Sequence, residues 1–126
     1  MRYVIESNEA PKAIGPYSQG IKAGGFVFVS GQVAIDPATQ SVIQGDVKAQ
    51  TERVCQNLKA ILEAAGTDLE SVVKSTVFLR SMADFGAMNE VYGRYFKHEP
   101  PARSTVAVVG LPKDVQVEID VIAEAS

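Results

Sequence analysis

The sequence is short of the residues on which many catalytic motifs depend. Its 126 residues include one cysteine, Cys55, one histidine, His98, and no tryptophan. A single cysteine excludes an intrachain disulfide and fits a reducing compartment. A single histidine leaves no pair to hold a metal, and His98 falls between a helix and Pro100, where a surface linker is expected. Cys55 has no CxxC partner and no histidine nearby, so a structural role is expected for it. An excess of positive charge is also missing. The formal net charge is -3 and the sequence pI about 5.1. General nucleic-acid binding calls for a basic stripe against phosphates, so this balance argues against it, while one well-placed cation would still suffice for a small anion. Nothing approaches the ~18 consecutive apolar residues of a membrane span. The stretch MRYVIESNEAPKAIG has neither a long apolar run nor an Arg-rich, acid-poor character, so neither a secretory signal nor a transit peptide is expected. The expected location is cytoplasmic, or mitochondrial if a presequence was removed before Met1.

What is present is an ordinary globular mixture, 46% hydrophobic and 21% charged, of a length that suits one domain over residues 1–126. Short strands are expected at Arg2 to Glu6, Gln19 to Ala23 and Phe26 to Gln32, the last two joined by Gly24-Gly25 as a two-residue hairpin turn. Asp36-Pro37-Ala38-Thr39 favours a reversal. From Asp46 to Ala65 the period becomes helical, with Val47, Thr51, Val54, Leu58, Ile61 and Ala65 on one face and Gly66 placed to end the helix. A strand over Val72 to Arg80 follows, with Asp68 as a cap for a single turn before it. A second helix is expected over Ala83 to Phe96, with a capping box at Ser81 and Asp84 and a stripe of Phe85, Asn89, Tyr92 and Phe96. Pro100 and Pro101 end it. Two strands close the chain, Arg103 to Val109 and Val115 to Ala123, around a turn at Gly110 to Asp114. The order predicts an α+β fold, a mixed sheet with two helices packed on one face. Phe26 and Phe28 alternate with Val27, Val29 and Val33, and Val106 and Val108 with Ala107 and Val109, so both faces of these strands are apolar. Helices can cover only one face, which points to oligomerisation through the other.

Alternation puts Arg103 and Thr105 on one face of their strand, and Glu118 with Gln116 and Asp120 on one face of the next. If the two strands form a hairpin about Pro112, Glu118 lies near Thr105 and Arg103 across the ladder. Two readings of that pair stand. One is a plain cross-strand ion pair, common and worth little. The other is a pocket in which Arg103 grips a carboxylate bidentately and Glu118 orients a water and moves protons. Elsewhere, Ser71, Ser75, Thr76, Ser104 and Thr105 contain no Gly-x-Ser-x-Gly elbow, and Gly24-Gly25 carries no phosphate-loop pattern. In the run Gly15 to Gly20, Tyr17 beside Pro16 could wall a pocket or pack over a sheet edge.

Several segments are familiar in their order: Ala13 to Gly20 (AIGPYSQG), Val29-Ser30-Gly31-Gln32, Val73 to Leu79 (VKSTVFL), Pro101-Ala102-Arg103-Ser104, and Leu111 to Ile122 (LPKDVQVEIDVI). Together they resemble the RidA (YjgF) family, enamine/imine deaminase branch, over nearly the whole chain, most specifically in PARS followed by LPKDVQVEIDVIA. The resemblance implies a chorismate-mutase-like (YjgF-like) α+β fold assembled as a homotrimer, with three pockets between subunits. It also implies hydrolysis of 2-iminobutanoate, 2-iminopropanoate and related enamines to 2-keto acids and ammonia, without a cofactor and without a metal. Such imines are released by pyridoxal-phosphate enzymes, for example threonine and serine dehydratases. By the same resemblance Arg103 binds the substrate carboxylate and Glu118 is associated with the catalytic water. Tyr17, Ser30, Gly31 and Asn89 line the site. Thr105 stands where many members carry cysteine, which places its contribution in backbone contacts. Two alternatives accompany this expectation: an endoribonuclease or translation inhibitor, which the acidic pI opposes, and a non-catalytic protein that binds small carboxylates as a sensor or chaperone.

Overall fold

The computed structural model describes residues 1–126. Strand β1 (Arg2–Ile5) leads into a long loop, then β2 (Gly20–Ala23) and β3 (Phe26–Gln32). Gly24 and Gly25 join them with φ of 58° and 84°, the pair of positive values that a tight primed turn requires. A small hairpin of β4 (Ile35–Asp36) and β5 (Ser41–Val42) occupies the expected reversal. Helix α1 (Val47–Ala64) follows, capped by the Asp46 carboxylate, which accepts from the Ala49 amide at 3.0 Å. It ends in a Schellman motif: the Gly66 amide donates to Glu63 and the Thr67 amide to Leu62, with Gly66 at φ 84°. Strand β6 (Val72–Leu79), helix α2 (Phe85–Tyr95), β7 (Ala102–Ala107) and β8 (Val117–Glu124) complete the chain. The expected box at Ser81 and Asp84 does not form. Ser81 caps a single 3₁₀ turn by accepting from the Ala83 amide at 3.1 Å, and α2 starts only after it. Asp68 likewise precedes a 3₁₀ turn but makes no side-chain cap. No helix is long and apolar enough to cross a membrane.

The six main strands run in the order β1-β2-β3-β8-β6-β7, antiparallel except for the parallel pair β6 and β7. The sheet is mixed and both helices lie on one face, the α+β arrangement expected. One expectation is overturned: β7 and β8 are not a hairpin. Strand β8 inserts between β3 and β6, and β7 pairs with the far side of β6. The connecting segment passes over the end of β6. The Val108 amide bonds Leu79 on one side, and the Arg80 amide bonds Gln116 on the other. Burial explains the choice. Val117, Ile119, Val121 and Ala123 form an unbroken apolar row, each no more than 1% exposed, and only a central strand beneath α1 can hide such a row. Strand β7, ARSTVA, is more polar, is largely accessible, and takes the edge.

The helix-side core is built from Val54, Leu58, Ile61 and Leu62 of α1, Met88 and Tyr92 of α2, and inward residues of β3, β6 and β8. The other face of the sheet has no cover. It presents Phe26, Phe28 and Val106, each 40–43% exposed, beside Phe78 and Ile122. Within the core, Asn57 is wholly buried and its amide donates to the carbonyls of Val33 and Ile35 at 3.2 and 3.0 Å, while its oxygen accepts from Arg53. This ties α1 to the segment leaving β3. Asn57→Leu should keep the volume but strand both carbonyls, costing about 2 kcal/mol. A lower urea midpoint with an unchanged far-ultraviolet spectrum would be the observation.

Candidate active site

The register of the sheet separates the two residues that the sequence appeared to join. Across β6 and β7, Arg103 is opposite Ser75 and Thr105 opposite Val77, both of which face the helices. Glu118 is opposite Phe78, and Phe78 opposite Val106, so Glu118 shares the uncovered face. Directly paired residues point to the same side. Arg103 and Glu118 therefore lie on opposite faces of the sheet, with β6 between their strands. A cross-strand ion pair within one chain is thereby excluded, and so is a pocket made by both residues of one chain.

Arg103 stands at the β7 edge over helix α2. Its Nη1 donates to Asn89 Oδ1 at 2.7 Å. The guanidinium carbon is 4.7 Å from the centre of the Tyr92 ring and 5.6 Å from that of Phe85, distances at which a cation is attracted to an aromatic face. Tyr92 in turn stacks on Phe96, with ring centres 4.3 Å apart, and its hydroxyl bonds the Ser75 hydroxyl at 2.6 Å. The stripe foreseen on α2 thus has two ends: Tyr92 and Phe96 in the core, Phe85 and Asn89 at the guanidinium. The ion pairs of the structure are Lys48–Glu90, Arg94–Glu90 and Arg80–Asp114. Arg103 is in none of them. The groups it contacts, Asn89, Tyr92 and Phe85, are neutral, so they hold its charge without pairing it. Nearby, the Thr105 hydroxyl oxygen is buried without a hydrogen-bond partner.

The second group of residues forms around a bulge. Val29 pairs with Val121 and Gln32 with Ile119, so Ser30 and Gly31 together oppose Asp120 alone. Bulges of this kind re-aim side chains and often lie beside functional sites. Here the bulge brings the Gly31 backbone against Glu118. A β-carbon on Gly31 would run into the Glu118 carboxylate, whose Cδ would be 2.9 Å away. Only glycine fits. The Ser30 hydroxyl donates to the Ser18 carbonyl and its amide to Gln19, docking the loop that carries Tyr17. Gln19 clamps the rest of that loop: its oxygen accepts from the Ser7 amide at 2.6 Å, and its amide donates to Ser7 and Pro11. Tyr17, 52% exposed, walls a hollow of about 210 Å³ that Gly31 also lines. Burial, reinforced by the Asp120 charge, raises the Glu118 carboxyl above its usual range. Burial also raises Asp120, against the Thr76 hydrogen bond and the Lys74 charge.

The structure therefore places the residues singled out from the sequence in two groups. Tyr17, Ser30, Gly31 and Glu118 make one, while Arg103, Asn89 and Thr105 make the other. Sequence reasoning missed Gln19, Ser75 and the contact of Tyr92 with Arg103. The signal for Tyr92 was its place on the α2 stripe, which also serves packing. Cys55 is buried in α1 with its thiol pushed up to about 12 by burial, so it is no nucleophile at neutral pH. His98 is exposed.

The sequence profile of the endoribonuclease L-PSP family matches residues 7–125. A RutC family protein of Pyrococcus horikoshii is 56% identical over 123 residues, covering 98% of each chain. The chloroplastic Reactive Intermediate Deaminase A of Arabidopsis thaliana is 46% identical over 120 residues, which cover 95% of this chain and 64% of that protein. Among solved structures, TdcF of E. coli with bound serine superposes with a TM-score of 0.92 at 44% identity, covering 98% of this chain and 99% of the other.

The raised Glu118 carboxyl has a thermodynamic consequence. A carboxyl that holds its proton more tightly when folded stabilises the fold below its ordinary value of 4.5, and the contribution is lost as pH rises through the raised value. Glu118→Gln, neutral throughout, should therefore melt higher than the native chain at about pH 8 and show no such advantage at about pH 4. Melting curves at the two pH values would decide it.

Proposed function

We propose that this chain, which belongs to the endoribonuclease L-PSP family (the RidA or YjgF family), hydrolyses imines and enamines of small 2-amino acids to 2-keto acids and ammonia. The observation that carries the reading is Arg103: a guanidinium held by neutral groups and left without a counter-ion. Such a group is prepared for an anion that arrives from solution, and a planar carboxylate matches its fork. A relative with bound serine, a small α-amino carboxylate, and another named a reactive intermediate deaminase support the same chemistry. The acidic balance of the chain favours this reading over the nuclease that the family's name suggests.

The site is completed between copies. The uncovered apolar face around Phe26, Phe28 and Val106 packs against neighbours in a homotrimer. At each seam the Arg103 edge of one copy meets the Glu118 face of the next. Arg103 takes the carboxylate, which sets the imine carbon one bond away at a fixed place. Tyr17 and the Ser30-Gly31 bulge close the pocket against bulk water. Enamines enter as their imine tautomers. Glu118, with its proton affinity raised, accepts a proton from the attacking water and passes it to the imine nitrogen. The new C–O bond gives a carbinolamine. Its C–N bond breaks as the hydroxyl proton passes by way of Glu118 to the amine, releasing ammonia and leaving the keto acid. Thr105 contributes through its backbone. No cofactor takes part. The substrates are 2-iminobutanoate and 2-iminopropanoate, supplied by dehydratases in the same, cytoplasmic, compartment.

The test is complementation. Arg103→Met and Glu118→Ala should each lower imine hydrolysis at least about 100-fold, followed as 2-ketobutyrate formed in a reaction coupled to threonine dehydratase. Unfolded and refolded together in equal amounts, the two inactive variants should recover about a quarter of wild-type activity, the share of seams that combine an intact Arg103 with an intact Glu118. No recovery would sink the shared site, and full activity of Arg103→Met alone would sink the deaminase. Gly31→Ala should lower kcat by about 10-fold or more, because its methyl group displaces Glu118.

A further inference from the structure

Arg103 lies on an edge strand with no neighbour outside it. Its hydrogen bond to Asn89 Oδ1 fixes the position of a single nitrogen, and that bond alone does not set the guanidinium plane. A carboxylate fork needs more than position, because both oxygens must lie in the guanidinium plane to accept two parallel hydrogen bonds. We propose that Tyr92 is the positioning residue that sets this plane, its ring supporting the face of the Arg103 guanidinium and the Ser75 hydroxyl locking the ring. The proposal rests on the reading of Arg103 as carboxylate anchor.

The contacts form a closed chain of constraint. Ser75 is directly opposite Arg103 in the β6–β7 ladder and is wholly buried. Its hydroxyl reaches the Tyr92 hydroxyl at 2.6 Å, and the ring returns to Arg103 at 4.7 Å. Phe96 packs behind the ring at 4.3 Å, so the ring cannot retreat. Register in the sheet therefore dictates ring position, and ring position dictates the orientation of the cation. Burial raises the Tyr92 hydroxyl above its ordinary range, so the ring stays a neutral phenol around pH 7 and never becomes a counter-ion that competes with the substrate. A flexible arginine must be ordered on binding, which weakens affinity; one already ordered avoids that loss.

The experiment uses 2-oxobutanoate as a non-reacting carboxylate probe in calorimetry, alongside steady-state imine hydrolysis. Tyr92→Leu, which removes the π-face, should weaken 2-oxobutanoate about tenfold and raise KM by a similar factor, with kcat within about threefold. Tyr92→Phe keeps the π-face but loses the Ser75 lock, and should give a KM between those of wild type and Tyr92→Leu. If Tyr92→Leu fails to fold, Tyr92→Met serves in its place. In the unmodified protein, the Arg103 Nε–H resonance should be displaced by ring currents from those of the other four arginines, and the displacement should fall in Tyr92→Leu or Tyr92→Met, where only the more distant Phe85 ring remains. Unchanged KM and probe affinity in a folded ring-less variant would overturn the proposal. So would an equal fall in kcat, or an undisplaced Arg103 signal. Arg103→Met separates the two levels. If it keeps wild-type activity the deaminase reading itself fails, whereas if it is inactive while Tyr92→Leu is normal, only the role of Tyr92 does.

Discussion

Burial of β8 organises this molecule. Its row of Val117, Ile119, Val121 and Ala123 is the most apolar strand face in the chain, and it lies completely covered beneath α1. Burying four such side chains stabilises the fold by roughly 1.5–3 kcal/mol for each larger one, more than any surface interaction here can offer. That gain decides the strand order. With β8 inserted between β3 and β6, β7 can pair only with the free side of β6, and Arg103 goes with it to the edge. The alternate residues of β8 follow automatically: Glu118 and Asp120 must occupy the opposite, uncovered face.

Both groups of candidate residues then depend on what the core leaves unfinished. The Ser30-Gly31 bulge allows the Glu118 carboxylate to lie against backbone where a side chain would otherwise stand. Partial withdrawal from water raises the proton affinity of both Glu118 and Asp120, and the Asp120 charge adds to it at Glu118, a cost to the isolated chain at neutral pH. On the helix side, α2 supplies Phe85, Asn89 and Tyr92 at helical spacing, so one rigid element holds the guanidinium at three points. These groups orient the charge of Arg103 without neutralising it.

Much of this was legible in the sequence, for reasons that can be stated. The Gly24-Gly25 turn and the Gly66 stop are local, and each is dictated by the backbone geometry that a few residues can adopt. The amphipathic face of α1 and the two-sided apolar character of β3 follow from periodicity. The candidate residues were marked by motifs that lie within single segments, which say nothing of how those segments come together. What failed was the pairing of the last two strands. Leu111-Pro112-Lys113-Asp114 suits a hairpin turn and a crossover equally well, since a turn motif specifies the reversal of the chain and not the strand it returns to. The choice was made by the total burial of β8, a quantity set by α1 and β3 far away in sequence. The contact between Tyr92 and Arg103 was hidden for the same reason, as it depends on the parallel register of β6 and β7.

In the proposed deaminase, the separation of Arg103 from Glu118 also answers why the site should be divided in this way. Had the two residues been hairpin neighbours, the carboxylate would have been the permanent partner of the guanidinium. The pair would have been worth no more than about 1 kcal/mol to the fold at an exposed position. It would nevertheless have set any incoming carboxylate against an intramolecular competitor at high effective concentration. It would also have lowered the proton affinity of Glu118, which burial otherwise raises. Placing the residues on opposite faces of one sheet leaves the cation free to bind and the carboxylate free to hold a proton. Opposite faces of one sheet can contribute to one pocket only when different copies supply them. In the proposed deaminase, assembly then completes the catalytic arrangement as well as covering the apolar face.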